Sequence, residues 1–488
     1  MKKITAFILI SMMTLNFISC GQGTANLDPA PDRQQTDTTT VSESFSDKAN
    51  DTIQEEKQGT EEVSSESTDN RSEDKFGIFH ENAVIEETVM VEEDGIKITA
   101  TDLTYNSYEV NLELTIENTT KKDLSFVSGS TGYSCNSING YMVSDGYLNC
   151  DVAAGKKAND SISFSYDSLM LYGINEIADI EIGFEISDDD YNNTYTGPRQ
   201  VKTSAFDSHD YTKDYYQDAI TSKEAMDTYG YTMKCFSEDS LYDQNGIKLV
   251  SSGIMNNYSE HSVLLLEMEN TTDEIAYIAT SDFALNGLGI SSSSVWSFNT
   301  INPGKRGILY VDLTSVFNPD YWDIFGITEV GTVSLALTQK TFEGEALSEP
   351  ATIEISVPGT TAKYDSTGQE VYNNGGVRIV AKKFCDDVSD YSDDIHFFLL
   401  AENNSGKTLT IDDVYNSLSV NGYMTDCVFY SKKIENGKCA VLDIELDDSS
   451  LKTNKITSIE DIKEIEIELE IKDGWNTVDQ AALKIAYE

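Results

Sequence analysis

Positive charge is scarce in this chain: 34 Lys and Arg stand against 84 Asp and Glu, a formal net charge of −50 over 488 residues. Binding to nucleic acid or to an anionic membrane surface relies on Lys and Arg to neutralise phosphates, so neither partner fits. Histidine is scarcer still, and His80, His209, His261 and His396 stand far apart. A general acid or base, a nucleophile or a zinc site usually needs a histidine beside a partner, and these four read instead as solvated surface side chains. No Gly-x-Ser-x-Gly elbow, phosphate-cradling Gly-rich loop or Cys-x-x-Cys pair occurs. Carboxylates are so abundant that no pair suited to glycoside hydrolysis stands out. No catalytic residue and no cofactor is assigned, and the chain reads as a non-enzyme.

Cysteine supplies no shared staple. Apart from Cys20, the chain holds Cys135, Cys150, Cys235, Cys385, Cys427 and Cys439, none at equivalent positions of the repeats described below. Cys135 with Cys150, and Cys427 with Cys439, are close enough in sequence to close hairpins; free thiols are the alternative.

What is present begins at the amino terminus. Lys2 and Lys3 precede an apolar run from Ile4 to Ile18, too short and wrongly flanked for a spanning helix, which marks a secretory signal. Ser19-Cys20-Gly21 at its end resembles the lipobox of bacterial lipoproteins, where signal peptidase II cleaves before a cysteine that then carries a diacylglyceryl group. Phe17 departs from the Leu common in that motif. The resemblance implies lipidation at Cys20, removal of residues 1–19, and a lipid anchor on the extracytoplasmic face of the cell membrane. Residues 20–81 are dominated by Thr, Ser, Asp, Glu, Gln and Asn and cannot bury enough apolar surface to order themselves. They are expected to form a disordered acidic tether, roughly 40 Å long on average and on the order of 180 Å at full stretch.

The rest repeats itself three times. Asp94-Gly95-Ile96-Lys97 recurs as Asn245-Gly246-Ile247-Lys248 and Gly375-Gly376-Val377-Arg378. Glu117-Asn118-Thr119 recurs as Glu269-Asn270-Thr271 and Glu402-Asn403-Asn404, and Gly155-Lys156 as Gly304-Lys305 and Gly437-Lys438. Val152, Ile301 and Ile434 lie three residues before those glycines. A period of about 130 to 150 residues is that of whole domains rather than of solenoid units.

Each repeat reads as β structure. Val110, Leu112, Leu114 and Ile116, then Leu264, Leu266 and Met268, then Ile395, Phe397, Leu399 and Ala401 alternate with a period of two, as in a sheet with one buried face. Ile180, Ile182, Phe184 and Ile186 open the same pattern in a last strand, echoed by Val333, Leu335 and Leu337 and by Ile465, Ile467, Leu469 and Ile471. Asn139-Gly140, Asn286-Gly287 and Asn421-Gly422 suit hairpin loops that need positive φ. A helical turn is expected near Ser168-Leu169 and Ser450-Leu451. The predicted fold is all-β: three tandem immunoglobulin-like antiparallel β-sandwiches over 82–206, 232–358 and 359–488, with a Tyr-rich connector at 207–231.

Three features are candidate sites. Asp188, Asp189 and Asp190, and Asp386, Asp387 and Asp390, offer oxygen ligands of the kind Ca²⁺ prefers, though each also reads as an acidic loop at a sandwich end. Tyr211, Tyr215, Tyr216, Tyr229 and Tyr231 in the connector, with Trp296, Trp322 and Trp475, could stack on sugars or anchor a protein, or could pack the connector against its neighbours. The Glu-Asn-Thr motif is assigned to the fold, its Asn ending a strand in a turn.

The blocks Gly95-Ile96-Lys97-Ile98 and Leu114-Thr115-Ile116-Glu117-Asn118-Thr119-Thr120, echoed by Leu266-Glu267-Met268-Glu269-Asn270-Thr271-Thr272, resemble the immunoglobulin-like domains of unknown function in surface lipoproteins of low-GC Gram-positive bacteria. The resemblance implies an extracytoplasmic β-sandwich array from about residue 82 onward and leaves the ligand open. The expected role is a non-catalytic binding or adhesion module for a protein or glycan. A passive envelope spacer is the alternative, and a hydrolase would need two carboxylates facing each other within about 10 Å.

Overall fold

The structure, a computed structural model, describes residues 78–129, 136–290, 299–316, 319–341, 344–386 and 394–487. From Ser72 onward the chain forms one compact unit. The expected signal, Cys20, nearly all of the tether, Cys135, Trp296, Asp387 and Asp390 lie outside the described residues.

The described chain is all-β with a few short helices, arranged as three successive β-sandwiches. In the first repeat Thr88–Glu93, Ile96–Tyr105, Glu109–Asn118 and Lys156–Ser165 lie side by side, each antiparallel to the next. Leu124–Ser128, Asn136–Ile138, Leu148–Val152, Asp179–Asp188 and Asn193–Lys202 build the second layer. Leu112, Leu114, Ile116 and Phe164 of the first layer share one core with Phe126, Ile180 and Phe184 of the second. The other repeats copy this plan, Ile247–Asn256, Ser262–Asn270 and Arg306–Asp312 facing Ala276–Leu285 and Thr332–Lys340, and Val377–Asp386, Ile395–Asn403 and Lys438–Leu446 facing Leu409–Asp413 and Glu464–Asp473. Helices Tyr166–Leu171 and Asp448–Thr453 stand where the Ser-Leu pairs place them.

Two asparagines per repeat tie the layers together. Asn118, Asn270 and Asn403 each end a strand and are fully or almost fully buried. Their side-chain amides donate to the carbonyls of Lys122 and Val152, of Glu274 and Ile301, and of Lys407 and Ile434, at 2.7–2.8 Å. Their carbonyl oxygens accept from Thr120, Thr272 and Ser405. The motif therefore belongs to the fold, but through a buried clamp between chain segments, not through a turn conformation of the Asn itself. The hairpin asparagines Asn139, Asn286 and Asn421 do adopt positive φ, 49°, 52° and 53°, each followed by a positive-φ glycine. They also accept backbone N–H bonds at the start of the strand expected to be last, at Ala178 and Asp179, Gly331 and Thr332, and Lys463 and Glu464, but a further strand, Asn193–Lys202, Ala351–Ser356 or Asn476–Ala486, follows in each repeat and pairs with it.

Those same hairpins join the repeats. The strand after Gly140 pairs in parallel with Arg306–Asp312 of the second repeat, and the strand after Gly287 with Lys438–Leu446 of the third. The second layer of one repeat thus continues into the first layer of the next, giving sheets of 11 and 10 strands. Continuation changes burial. Glu109–Asn118 alternates buried and half-exposed residues as expected, whereas Ser262–Asn270 and Ile395–Asn403 are buried on nearly every residue. The expectation of one buried face therefore fails for the second and third repeats. Val263 and Leu265 fill the positions that Asn111 and Glu113 hold in the first, Phe398 and Leu400 those of Glu113 and Thr115, and unbroken apolar runs signal strands covered on both sides.

Candidate functional site

The connector is not an extended linker. Asp214 caps Tyr215–Thr221 by accepting from the Gln217 N–H, Ser222 caps Lys223–Tyr229 by accepting from the Ala225 N–H, and Gly230 closes the second helix at φ 69°. Asp214, Ser222 and Gly230 are the start and stop signals by which the sequence could have revealed both helices. Most connector tyrosines pack: Tyr216 is buried, Tyr231 lies against Met255, Val263 and Leu265 of the second repeat, and the Tyr211 hydroxyl donates to Asp179 at 2.7 Å. Burial pushes the Tyr229 and Tyr231 hydroxyls up to about 12.

Between these helices and the first repeat lies a cavity of about 560 Å³, within the range of small-ligand sites. The first repeat contributes Asn139, Tyr141 and Glu176, the connector His209, Lys213, Tyr215, Asp218 and Tyr229, and His80, expected in the disordered tether, is instead held against the first repeat by its N–H bond to the Asn175 carbonyl at 2.7 Å. Gly173 allows the close approach of the two walls, since a Cβ there would sit 2.1 Å from the Tyr215 carbonyl oxygen. His209 stacks on Tyr215 with ring centroids 4.9 Å apart and meets the edge of Tyr211 at 4.6 Å. Lys213 pairs with Asp218 at 2.9 Å and lies over the Tyr215 ring. Burial lowers the proton affinity of His209 below its ordinary value, partly opposed by Asp179 and Asp210. The Tyr229 hydroxyl is buried and finds no hydrogen-bond partner among the described residues, which costs free energy. The site offers an aromatic face, two imidazoles and hydrogen-bonding groups of both kinds.

The histidines are thus not simply solvated. His80 and His209 come together at one cavity although they are far apart in sequence, and His261 and His396 hold Asp312 and Asp443 through Nδ1 at 2.9 Å. Only the spatial meeting of the connector with the first repeat creates the pair.

Next to this cavity is a polar hub. Arg306 reaches the carboxylates of Asp214 and Glu267, and the Tyr141 hydroxyl lies 3.2 Å from Asp214. Glu267 is completely buried and also accepts from Ser251 at 2.7 Å and Gln217 at 2.9 Å. Burial raises its proton affinity, the Asp214 charge adds to that, and Gln217, Ser251 and Arg306 oppose it.

The other predicted residues are placed as follows. The Asp188 carboxylate is engaged by Lys122, by Asn192 and by the backbone N–H groups of Asp190 and Asn192, so an ammonium stands where a cation would bind. Lys122 and Asn192 hold the Asp188 carboxyl well below the usual range. Asp190 lies 3.3 Å from the same Lys122, and Asp189 is exposed. Asp386 ends its strand. Among the described residues no group of three or more His, Cys, Asp or Glu is placed to hold a metal ion. Trp322 packs against the second core, and Trp475 is wholly exposed at a hairpin tip. Cys427 and Cys439 are free thiols: Cys427 pairs across from Leu446, seven residues along the strand from Cys439, a separation of about 20 Å. Cys150 is a free thiol as well, pushed up to about 11 by burial and by Asp160.

No family model and no curated protein matches the chain. Among solved structures, one described as a biofilm associated protein BSP domain is 9% identical with a TM-score of 0.12, the match covering 84% of this chain and 82% of that chain. A likeness at that score carries no argument about fold or function.

Proposed function

We propose that this chain is a membrane-anchored extracytoplasmic lipoprotein, acylated at Cys20, whose immunoglobulin-like sandwiches act as a non-catalytic binding module for a glycan or protein partner. The observation that carries the binding reading is the cavity between the first repeat and the connector helices, with Tyr215, His209, His80 and Tyr229 in its wall. Aromatic rings in a cavity wall favour the apolar side of a sugar, and the surrounding donors and acceptors suit its hydroxyls. The anchoring reading rests on Lys2, Lys3, the apolar run to Ile18 and Cys20. Among the described residues no helix is long and apolar enough to cross a membrane.

The test is saturable binding of the full chain to arrayed cell-wall and host glycans and to surface proteins, with and without Ca²⁺. Tyr215→Ala and His209→Ala are expected to lower affinity at least tenfold, while Trp475→Ala leaves it unchanged. Absence of any saturable partner would leave the passive spacer as the better reading. Metabolic palmitate labelling that is lost in Cys20→Ala tests the anchor.

A further inference from the structure

The third repeat carries a junction hairpin that, among the described residues, pairs with no strand of another repeat. Asn421-Gly422-Tyr423-Met424 repeats Asn139-Gly140-Tyr141-Met142 residue for residue. It turns with the same left-handed φ values and the same register, Val420 opposite Tyr423 as Ile138 is opposite Tyr141. In the first repeat this hairpin is a plug: Tyr141 and Met142 are 4% and 7% exposed, the Gly140 carbonyl accepts from the Arg306 N–H at 2.9 Å, and Met142 enters the second core. Beside it Glu181 pairs with Lys305 of the second repeat at 2.7 Å. Tyr423 and Met424 are instead 56% and 60% exposed. Glu466 holds the place of Glu181, opposite Ser419 as Glu181 is opposite Ser137.

The matching socket is the edge strand of the first repeat, which pairs with no further strand among the described residues. Lys156–Ser165 is the outer strand of its four-stranded sheet, whereas its counterparts Arg306–Asp312 and Lys438–Leu446 carry the preceding repeat's hairpin. Lys156 and Lys157 stand where Lys305 and Arg306 stand in the second repeat, both exposed. Lys157 faces Glu117 across the strands at the register by which Arg306 faces Glu269.

We propose that the occupant of the Tyr423–Met424 hairpin is a second copy of this chain, docked at the Lys156–Lys157 end of its first repeat, with Glu466 meeting Lys156. Plug and socket are different surfaces, so the contact is heterologous and extends into open head-to-tail chains. It is smaller than the internal junctions, because Asn111 and Glu113 replace the apolar Val263 and Leu265. Association is therefore reversible and dependent on concentration, and works against the mutual repulsion of chains of net charge −50.

Sedimentation of the full chain tests this, in a non-ionic detergent that takes the apolar run Ile4 to Ile18 out of the readout and at a salt concentration that screens charges beyond about 8 Å. The average mass of the wild type is expected to rise with concentration past that of a dimer. Met424→Asp spoils the plug and the double variant Lys156→Glu/Lys157→Glu spoils the socket, all at exposed positions, with circular dichroism verifying that each variant stays folded. Each variant alone is expected to associate at least tenfold more weakly. Mixed together they should form dimers and nothing larger, because one working plug then meets one working socket. A wild type that stays monomeric, a variant that associates as the wild type does, or a mixture that stays monomeric would overturn the proposal.

Discussion

The two internal junctions share a backbone plan and differ in chemistry. At the first, Arg306 binds Asp214 and Glu267 beneath the connector helices. At the second the same strand position is Cys439, whose thiol lies 3.1 Å from the Gly287 carbonyl oxygen, and Phe325 packs edge-on against Phe398. There Leu288 is fully buried, and a Cβ on Gly289 would lie 2.5 Å from the Cys439 carbonyl oxygen. One hairpin-to-strand bridge therefore tolerates an ionic filling or an apolar one. What holds in both cases is the Asn-Gly turn and its bonds to the start of Asp179–Asp188 or Thr332–Lys340; what varies is how the neighbouring surface is satisfied.

Breaking the ionic filling should cost most. Arg306→Met leaves Glu267 buried without its cation and is expected to lower unfolding stability by about 4 kcal/mol, measured by urea denaturation, and adding Glu267→Leu should recover most of that loss. A small effect of Arg306→Met alone would show that water reaches the hub. At the apolar junction Leu288→Ala should cost about 3 kcal/mol, with no dependence on salt. The layer clamps come next: Asn118→Ala, Asn270→Ala and Asn403→Ala each leave two buried carbonyls short of a donor, at about 2 kcal/mol apiece. Similar values at all three positions would show that the clamp works independently of the junction beside it.

The smallest expected effect is a pH dependence confined to the first junction. Burial depresses the folded-state pKa of His209 below its ordinary 6.5. The unfolded chain then binds a proton that the folded chain resists, so the contribution of this residue is fully present above 6.5 and is lost as pH falls toward the folded value. Glu267 slopes the other way, since its raised affinity makes stability fall as pH rises above the ordinary 4.5. The His209 part is isolated by comparing wild type with His209→Gln: denaturation midpoints of the two should diverge between about pH 8 and pH 6.5 less than between about pH 6.5 and pH 5. Equal slopes would mean that His209 is open to water.

Much of the fold was legible because strand faces and turns are local. Leu112, Leu114 and Ile116 are a period-two signal that needs no tertiary knowledge, and Asn139-Gly140 demands its left-handed turn wherever it is placed. The candidate site was not legible in the same way. His80 and His209 are 129 positions apart, and their shared cavity exists because Gly173 lets the connector approach the first repeat. Two-sided burial of Ser262–Asn270 and Ile395–Asn403 was written in Val263, Leu265, Phe398 and Leu400, but a reading that looked only for alternation passed over it.

The amino-acid order alone determined a threefold β architecture, its hairpin loops and an anionic surface, since period, φ preference and charge are properties of short segments. Packing decided how the sandwiches join, which asparagines become clamps, and which histidines and tyrosines share a cavity. Those outcomes depend on desolvation and on contacts between residues distant along the chain, whose free energy exists only once the sheets have met.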